Sequence, residues 1–374
     1  MKGYRDTWAE ISLAALEGNA AKFREYISSK TRLMAVVKAD GYGHGAVEAA
    51  RAALRGGADY LATAIVDEAI ALREAGITEP ILILGYTPVR SINVALSHQL
   101  TLTIFDDDVL NEIIAQAAAL QKTARIHIKV DTGMSRIGVT SAEAALQLAK
   151  QAITAPFVQL EGIFTHFANA DSEDPAYTYE QFRKFLSITE LLESRGIHIP
   201  LKHCCNSAAT MLFPEFHLDM VRVGIALYGL YPGSTLKKHP LQLTQAMSLK
   251  TKVAAVKTIP AGQPVSYGCT NVSKQERRIA TLPIGYADGL SRLLSNRGEV
   301  LLKGKYMPIA GRVCMDQTMI DVTTADLCQP GDEITLFGGD GRSFQSVDRL
   351  AELMGTINYE VICLIGKRVP RIYR

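Results

Sequence analysis

The chain has one tryptophan in 374 residues, no cysteine pair at C-x-x-C spacing, no long apolar run and almost no net charge. Each shortage excludes something. A formal charge of +2 leaves no electrostatic footprint for nucleic acid or a membrane surface. A membrane helix needs ~18 uninterrupted apolar residues, and no stretch approaches that. The opening MKGYRDTWAEISLAAL carries Arg5, Asp6 and Glu10 where a signal peptide would need an apolar core. A cytoplasmic protein is therefore expected. The six cysteines, Cys204, Cys205, Cys269, Cys314, Cys328 and Cys363, have no zinc-ligand spacing, so no metal is expected. Cys204 and Cys205 lie in an apolar run, where a free thiol behaves as a small buried hydrophobe.

What is present is periodic. Between residues 30 and 230, short β-rich apolar runs alternate with amphipathic stretches of helical spacing. The runs are MAVVK (34–38), LATAI (61–65), ILILG (81–85), TLTIF (101–105), IHIKV (126–130), LEGIFTHF (160–167), LKHCCN (201–206) and MVRVGI (220–225). Strands alternating with helices mean βαβ units and a parallel sheet, and eight such units close a barrel. After LYPGSTLKKHP (230–240) the texture changes to short strand candidates separated by Gly- and Pro-bearing turns: KVAAVKTI, RIATLPIG, EVLLKG, QTMIDV and DEITLFGG. The predicted fold is an α/β protein, with a (β/α)8 TIM-like barrel over residues 11–238 and a mostly antiparallel β domain over 239–374. Residues 1–10 are expected to pack on the β domain.

Active sites of such barrels occupy the C-terminal ends of the strands. Lys38 ends the first run, Lys129 and Asp131 the fifth, His166 the sixth, Asn206 and Ser207 the seventh, and Arg222 interrupts the eighth. Burying these polar groups is costly unless they are paired or functional. The amine of Lys38, once desolvated and neutral, can form an imine with an aldehyde cofactor. On position alone, a lysine snorkelling to solvent is the better account. The following GYGHG, with Gly41, Gly43 and Gly45, permits a tight turn and a close approach to a ligand, and aims Tyr42 and His44 at the mouth. Ser207 and the backbone N–H groups around Gly224 and Ile225 suit a phosphate between the last two strands, the usual barrel location for one.

These residues carry a resemblance. AVVKADGYGHG (35–45), KVDTGMSRIG (129–138), THFANAD (165–171), HCCNSAA (203–209), VRVGIALYG (221–229), VSYGCT (265–270), IGYADG (284–289), GRVCMDQTMID (311–321) and TINYE (356–360) together resemble alanine racemase, in that family's order. The resemblance implies pyridoxal 5′-phosphate (PLP) on Lys38, interconversion of L- and D-alanine, D-alanine supply for peptidoglycan, and a head-to-tail homodimer. It implies two opposed bases: Lys38 for the proton of the D-isomer and Tyr267, contributed by the partner chain, for that of the L-isomer. His166 would pair with Tyr267, and Arg222 would face the pyridine nitrogen, where other PLP enzymes place a carboxylate. Tyr42, Asn206, Ser207, Gly224, Ile225 and Tyr359 would hold the cofactor. Arg136, with Met315 and Asp316 from the partner, would meet the substrate. Lys129 matches a position that is carbamylated in many members, and Tyr286, Arg292, Arg312 and Ile357 resemble the lining of a narrow access channel. Three rivals stay open: a serine or broad-specificity racemase of the same fold, a PLP-binding protein without turnover, and a decarboxylase. The extra β domain with Tyr267 speaks against the second, and Arg222 against the third.

Overall fold

A computed structural model describes residues 4–325, 327–339 and 341–374. Two compact units result. One comprises Ala14–Gly41 and Gly45–Thr244; the other comprises the described part of 1–13, Tyr42–His44 and Gln245–Arg374. Of the segment expected to pack on the β domain, residues 1–3 lie outside the described residues. Residues Thr7–Ile11 form strand β1, which belongs to the second unit.

The first unit is a parallel barrel. Its strands are β2 (Arg32–Val36), β3 (Tyr60–Thr63), β4 (Ile81–Ile83), β5 (Thr101–Ile104), β6 (Ala124–Lys129), β7 (Val158–Phe164), β8 (Leu201–His203) and β9 (Met220–Val223). They lie side by side in the order β8-β7-β6-β5-β4-β3-β2-β9. The ring closes through two backbone bonds between its ends, Asp219 N to Lys202 O at 3.1 Å and Arg222 N to Cys205 O at 3.2 Å. Most strand residues are buried, as expected of a sheet covered by helices on its outside and by its own side chains within. The covering helices begin where the sequence supplies caps. Asp106 accepts from Val109 N at the helix Asp107–Leu120, and Ser141 from Ala144 N at Ala142–Thr154, each satisfying an otherwise unpaired N–H. Cys204 and Cys205 are fully buried, each thiol directed at the Phe216 carbonyl.

The second unit is built from β10 (Met247–Lys252), β11 (Ala255–Ile259), β12 (Arg277–Leu282), β13 (Glu299–Leu302), β14 (Lys305–Pro308), β15 (Thr318–Asp321), β16 (Glu333–Gly339), β17 (Phe344–Gln345) and β18 (Arg371–Tyr373). One sheet runs β14-β13-β16-β10-β1-β18, with β17 on β16; another is β11-β12-β15. All pairings are antiparallel except β1 with β18. Among the described residues no helix is long and apolar enough to cross a membrane, and no cluster of three or more His, Cys, Asp or Glu could hold a metal ion.

Candidate active site

The first strand stops earlier than its apolar run suggests. β2 ends at Val36, and Lys38 opens a left-handed turn in which Ala39, Asp40, Gly41 and Tyr42 all have φ between 51° and 61°. Three of these are not glycine, and each such residue costs on the order of 1–2 kcal/mol. The turn is held by bonds that offset this. Ala39 N donates to Glu68 Oε1 at 2.6 Å, Ala46 N to Asp40 Oδ1 at 2.9 Å, and Gly45 N to Asp40 O at 2.8 Å. Strain retained in this way is a mark of functional sites. The cofactor-anchoring candidate thus sits half-buried on an over-determined turn rather than on the strand itself. His44 is buried in the second unit, with Nδ1 3.0 Å from the Tyr42 carbonyl.

Arg222, from β9, is buried and almost fully engaged. Its Nη1 lies 2.8 Å from His203 Nδ1, while Nη2 reaches the carbonyls of Thr165 at 2.8 Å and Cys204 at 2.9 Å, and His166 Nδ1 at 3.2 Å. Burial pushes its pKa down to about 10, so it remains a cation at neutral pH. Around it, burial and then the Arg222 charge hold His166 and His203 well below the usual histidine range. His166 also feels Lys129, Arg136 and Lys38. The barrel therefore gathers Lys38, Lys129, Arg136, His166 and Arg222 at one rim.

Lys129, the last residue of β6, is buried over the Phe164 ring, with Nζ 4.7 Å from its centroid. That nitrogen has no hydrogen-bond partner. Burial, then Arg222 and Arg136, push its pKa well below that of an ordinary lysine. The loop that follows is tied by Asp131, whose carboxylate accepts from the N–H groups of Gly133, Ser135 and Arg136 at 2.9–3.0 Å. Arg136 is exposed.

After β8, Asn206 caps the helix Ser207–Leu212 by accepting from Ala209 N at 2.9 Å. The Ser207 hydroxyl receives the N–H of Gly224 at 2.9 Å and lies 3.5 Å from that of Ala226. Ile225 opens a short 3₁₀ turn beside them. A hydroxyl and clustered backbone N–H groups are the donor set a phosphate requires. Together with a half-buried lysine on a strained turn and a buried cation, this set fits PLP.

The remaining candidates belong to the second unit. Tyr267 is 72% exposed and Met315 53% exposed. A Cβ on Gly268 would lie 3.3 Å from the Arg312 guanidinium, and Ser266 Oγ donates to the Arg312 carbonyl at 2.6 Å. The Tyr286 loop is bound to the Met315 loop by Tyr286 N to Cys314 O and Ala287 N to Met315 O, both 3.0 Å. Asp316 pairs with Arg368 at 2.7 Å. Tyr267, Tyr286, Arg312, Met315 and Asp316 thus form one exposed lip. Arg292 and Ile357 are exposed, on the turn Arg292–Leu294 and just before the helix Asn358–Cys363. Tyr42 is buried with its ring centroid 6.3 Å from that of Tyr359.

The family model for the N-terminal domain of alanine racemase matches residues 11–232, and that for its C-terminal domain matches residues 246–373. The chain belongs to the alanine racemase family. Alanine racemase 2 of Oceanobacillus iheyensis is 54% identical over 99% of this chain and 94% of its own length. The alanine racemase of Methanococcus maripaludis is 48% identical over 98% of each chain. Among solved structures, alanine racemase from Bacillus anthracis with bound L-Ala-P superposes with a TM-score of 0.95 at 43% identity, covering 100% of this chain and 96% of that one. A histidine racemase from Leuconostoc mesenteroides also superposes, with a TM-score of 0.92 at 29% identity over 99% and 98% of the two chains.

The barrel interior holds polar groups that sequence reasoning missed: His127, Glu161, His203 and Tyr60. The available signal was a histidine within each of two apolar strands, in IHIKV and LKHCC.

Proposed function

We propose that this alanine racemase interconverts L- and D-alanine in the cytoplasm with two bases on opposite faces of the substrate, as a homodimer that supplies D-alanine for peptidoglycan. The observation that carries the reading is Arg222: a buried guanidinium held by His203, His166 and two carbonyls, where transaminating and decarboxylating enzymes favour a carboxylate. Lys38, Ser207, Gly224 and Ile225 would hold PLP, which when bound would supply an electron sink for the α-carbon. A guanidinium does not give up its proton at ordinary pH. Arg222 would therefore leave that sink incomplete, which would limit side reactions. Asn206 fixes the Ser207 helix end, and Tyr42 and Tyr359 match the family's phosphate-contacting tyrosines.

Lys38 takes or returns the α-proton on one face; Tyr267 of the partner subunit does so on the other. A phenol is a weak base at its usual pKa of ~10, so it needs support. Arg222 Nη2 donates to His166 Nδ1, which leaves the proton of the neutral ring on Nε2, ready to donate to a phenolate oxygen. Arg136 offers a planar fork to the substrate carboxylate, with the Met315 backbone and Asp316 from the partner. The buried, unpartnered amine of Lys129 is poised to add carbon dioxide, and the resulting anion would sit between Arg136 and Arg222. Tyr286, Arg292, Arg312 and Ile357 restrict access.

Two tyrosines crowding the α-carbon favour a methyl side chain, so alanine leads serine. The likeness to a histidine racemase indicates that this fold can carry other side chains, with lining residues deciding between them. The test is L-to-D turnover of alanine and serine by the purified protein, with Lys38→Ala and Tyr267→Phe alongside. Full activity of Tyr267→Phe in both directions would end the two-base scheme.

A further inference from the structure

Tyr60, His127, Glu161 and His203 take no part in the chemistry above, yet they form a continuous line that ends on Arg222. His203 Nδ1 is 2.8 Å from Arg222 Nη1, and His203 Nε2 is 2.9 Å from His127 Nδ1. His127 Nε2 is 3.2 Å from Glu161 Oε2, and the Tyr60 hydroxyl donates to the same oxygen at 2.8 Å. The proton positions follow by elimination. A guanidinium only donates, so His203 Nδ1 accepts and the His203 proton sits on Nε2. That N–H faces His127 Nδ1, which accepts in turn, leaving the His127 proton on Nε2 to be donated to Glu161. Every bond from Arg222 through the two imidazoles points toward the carboxylate, and Tyr60 donates to it from the other side.

The strands are shaped around this line. Between β6 and β7 the register slips, with Ile126 opposite Leu160 but His127 opposite Gly162, so Glu161 is the extra residue. Such bulges re-aim a side chain. At Gly162, a Cβ would lie 2.5 Å from the His127 ring, so any other residue would displace the imidazole. Phe164 stacks on His203, with centroids 4.8 Å apart and planes 3° from parallel. Burial holds both imidazoles below the ordinary histidine range, so the charges of the line stand at its two ends.

We infer that Glu161 is the remote counter-charge of Arg222, and that His127 and His203, through their imposed tautomers, are positioning residues that lock the guanidinium plane. The role given to Arg222 rests on the function proposed above; the direction of the line does not. Hydrogen bonds polarised in one sense strengthen one another, so the line conveys the carboxylate's charge without moving a proton.

The test uses the full-length, PLP-loaded protein labelled with ¹⁵N-histidine. Long-range ¹H–¹⁵N correlations should show His127 and His203 both as the Nε2–H form. Glu161→Gln keeps an acceptor for His127 but removes the charge. It should shift both ring signals, lower kcat roughly tenfold, a change of about 1.4 kcal/mol, with KM nearly constant, and raise the fraction of turnovers that release pyruvate instead of D-alanine. Gly162→Ala, which crowds His127 and leaves the charge in place, should shift the same signals. An Nδ1–H or doubly protonated ring in the wild-type protein would overturn the inference. So would a Glu161→Gln variant with unchanged ring signals and an unchanged pyruvate fraction. Expected tautomers in a protein that does not racemise alanine would instead refute the functional reading and leave the line standing.

Discussion

The barrel rim and the β-unit lip treat their polar groups in opposite ways. At the rim, Arg222 is buried and bonded on four sides, His166 and His203 are kept neutral by burial, and Lys129 is buried beside two arginines. At the lip, Tyr267 is 72% exposed and Met315 and Tyr286 are exposed on loops tied to each other. The rim carries fixed electrostatics, which need a dry interior to be strong. The lip carries groups that a second surface can cover. On the two-base reading, each chain prepares one half of two sites, and neither half suffices.

The comparison breaks most sharply at the bases. Lys38→Ala should lower racemisation on the order of 10⁴-fold in both directions, measured as D-alanine formed from L-alanine and the reverse. Tyr267→Phe should cost about 10²–10³-fold. Mixing these two inactive variants tests whether the lip serves a partner. Subunit exchange would create dimers with one intact site, restoring roughly a quarter of wild-type activity in a random mixture. No recovery after exchange would place both bases in one chain.

Lys129 sharpens the contrast within the rim. If it takes up carbon dioxide, stripping bicarbonate should raise the KM for alanine several-fold, by about 1 kcal/mol, and bicarbonate should restore it. An intact mass without the added carbon dioxide, in protein kept under bicarbonate, would remove this residue from the scheme.

The smallest effect on activity, and a direct test of rim burial, is on stability. For His127, His166 and His203 the folded pKa is depressed, so below ~6.5 the unfolded chain binds more protons than the folded one. Stability is then full above that pH and is lost as pH falls, by up to ~1.4 kcal/mol per pH unit for each histidine until its folded pKa is reached. Urea unfolding at pH 7.5 and 5.5 should show the loss, and His203→Gln should reduce it.

Much of this was legible in the sequence because it is written locally. All eight barrel strands fall within the apolar runs or overlap them, since a strand covered on both faces must be apolar almost throughout. The motif residues of the rim and the lip could be named because their types and order resemble the family. The end of the first strand could not be read. AVVK is apolar up to its lysine, and one of the bonds that hold the left-handed turn comes from Glu68, 29 residues away from Ala39. The line of His127, Glu161 and His203 was equally hidden, because its bonds span 34 and 76 residues and no local pattern signals them.

By itself, then, the sequence determined the alternation of strand and helix and the change to a β-rich second unit, while the candidates for the chemistry came largely from its resemblance to a family. The alternation and the change are properties of residue type and period along the chain. Only the tertiary structure decided which lysine is buried without a partner, which histidines burial holds below their ordinary range, and why a side chain at Gly162 would meet His127. Those depend on what desolvates each group and what faces it, and both come from strands that are distant in sequence.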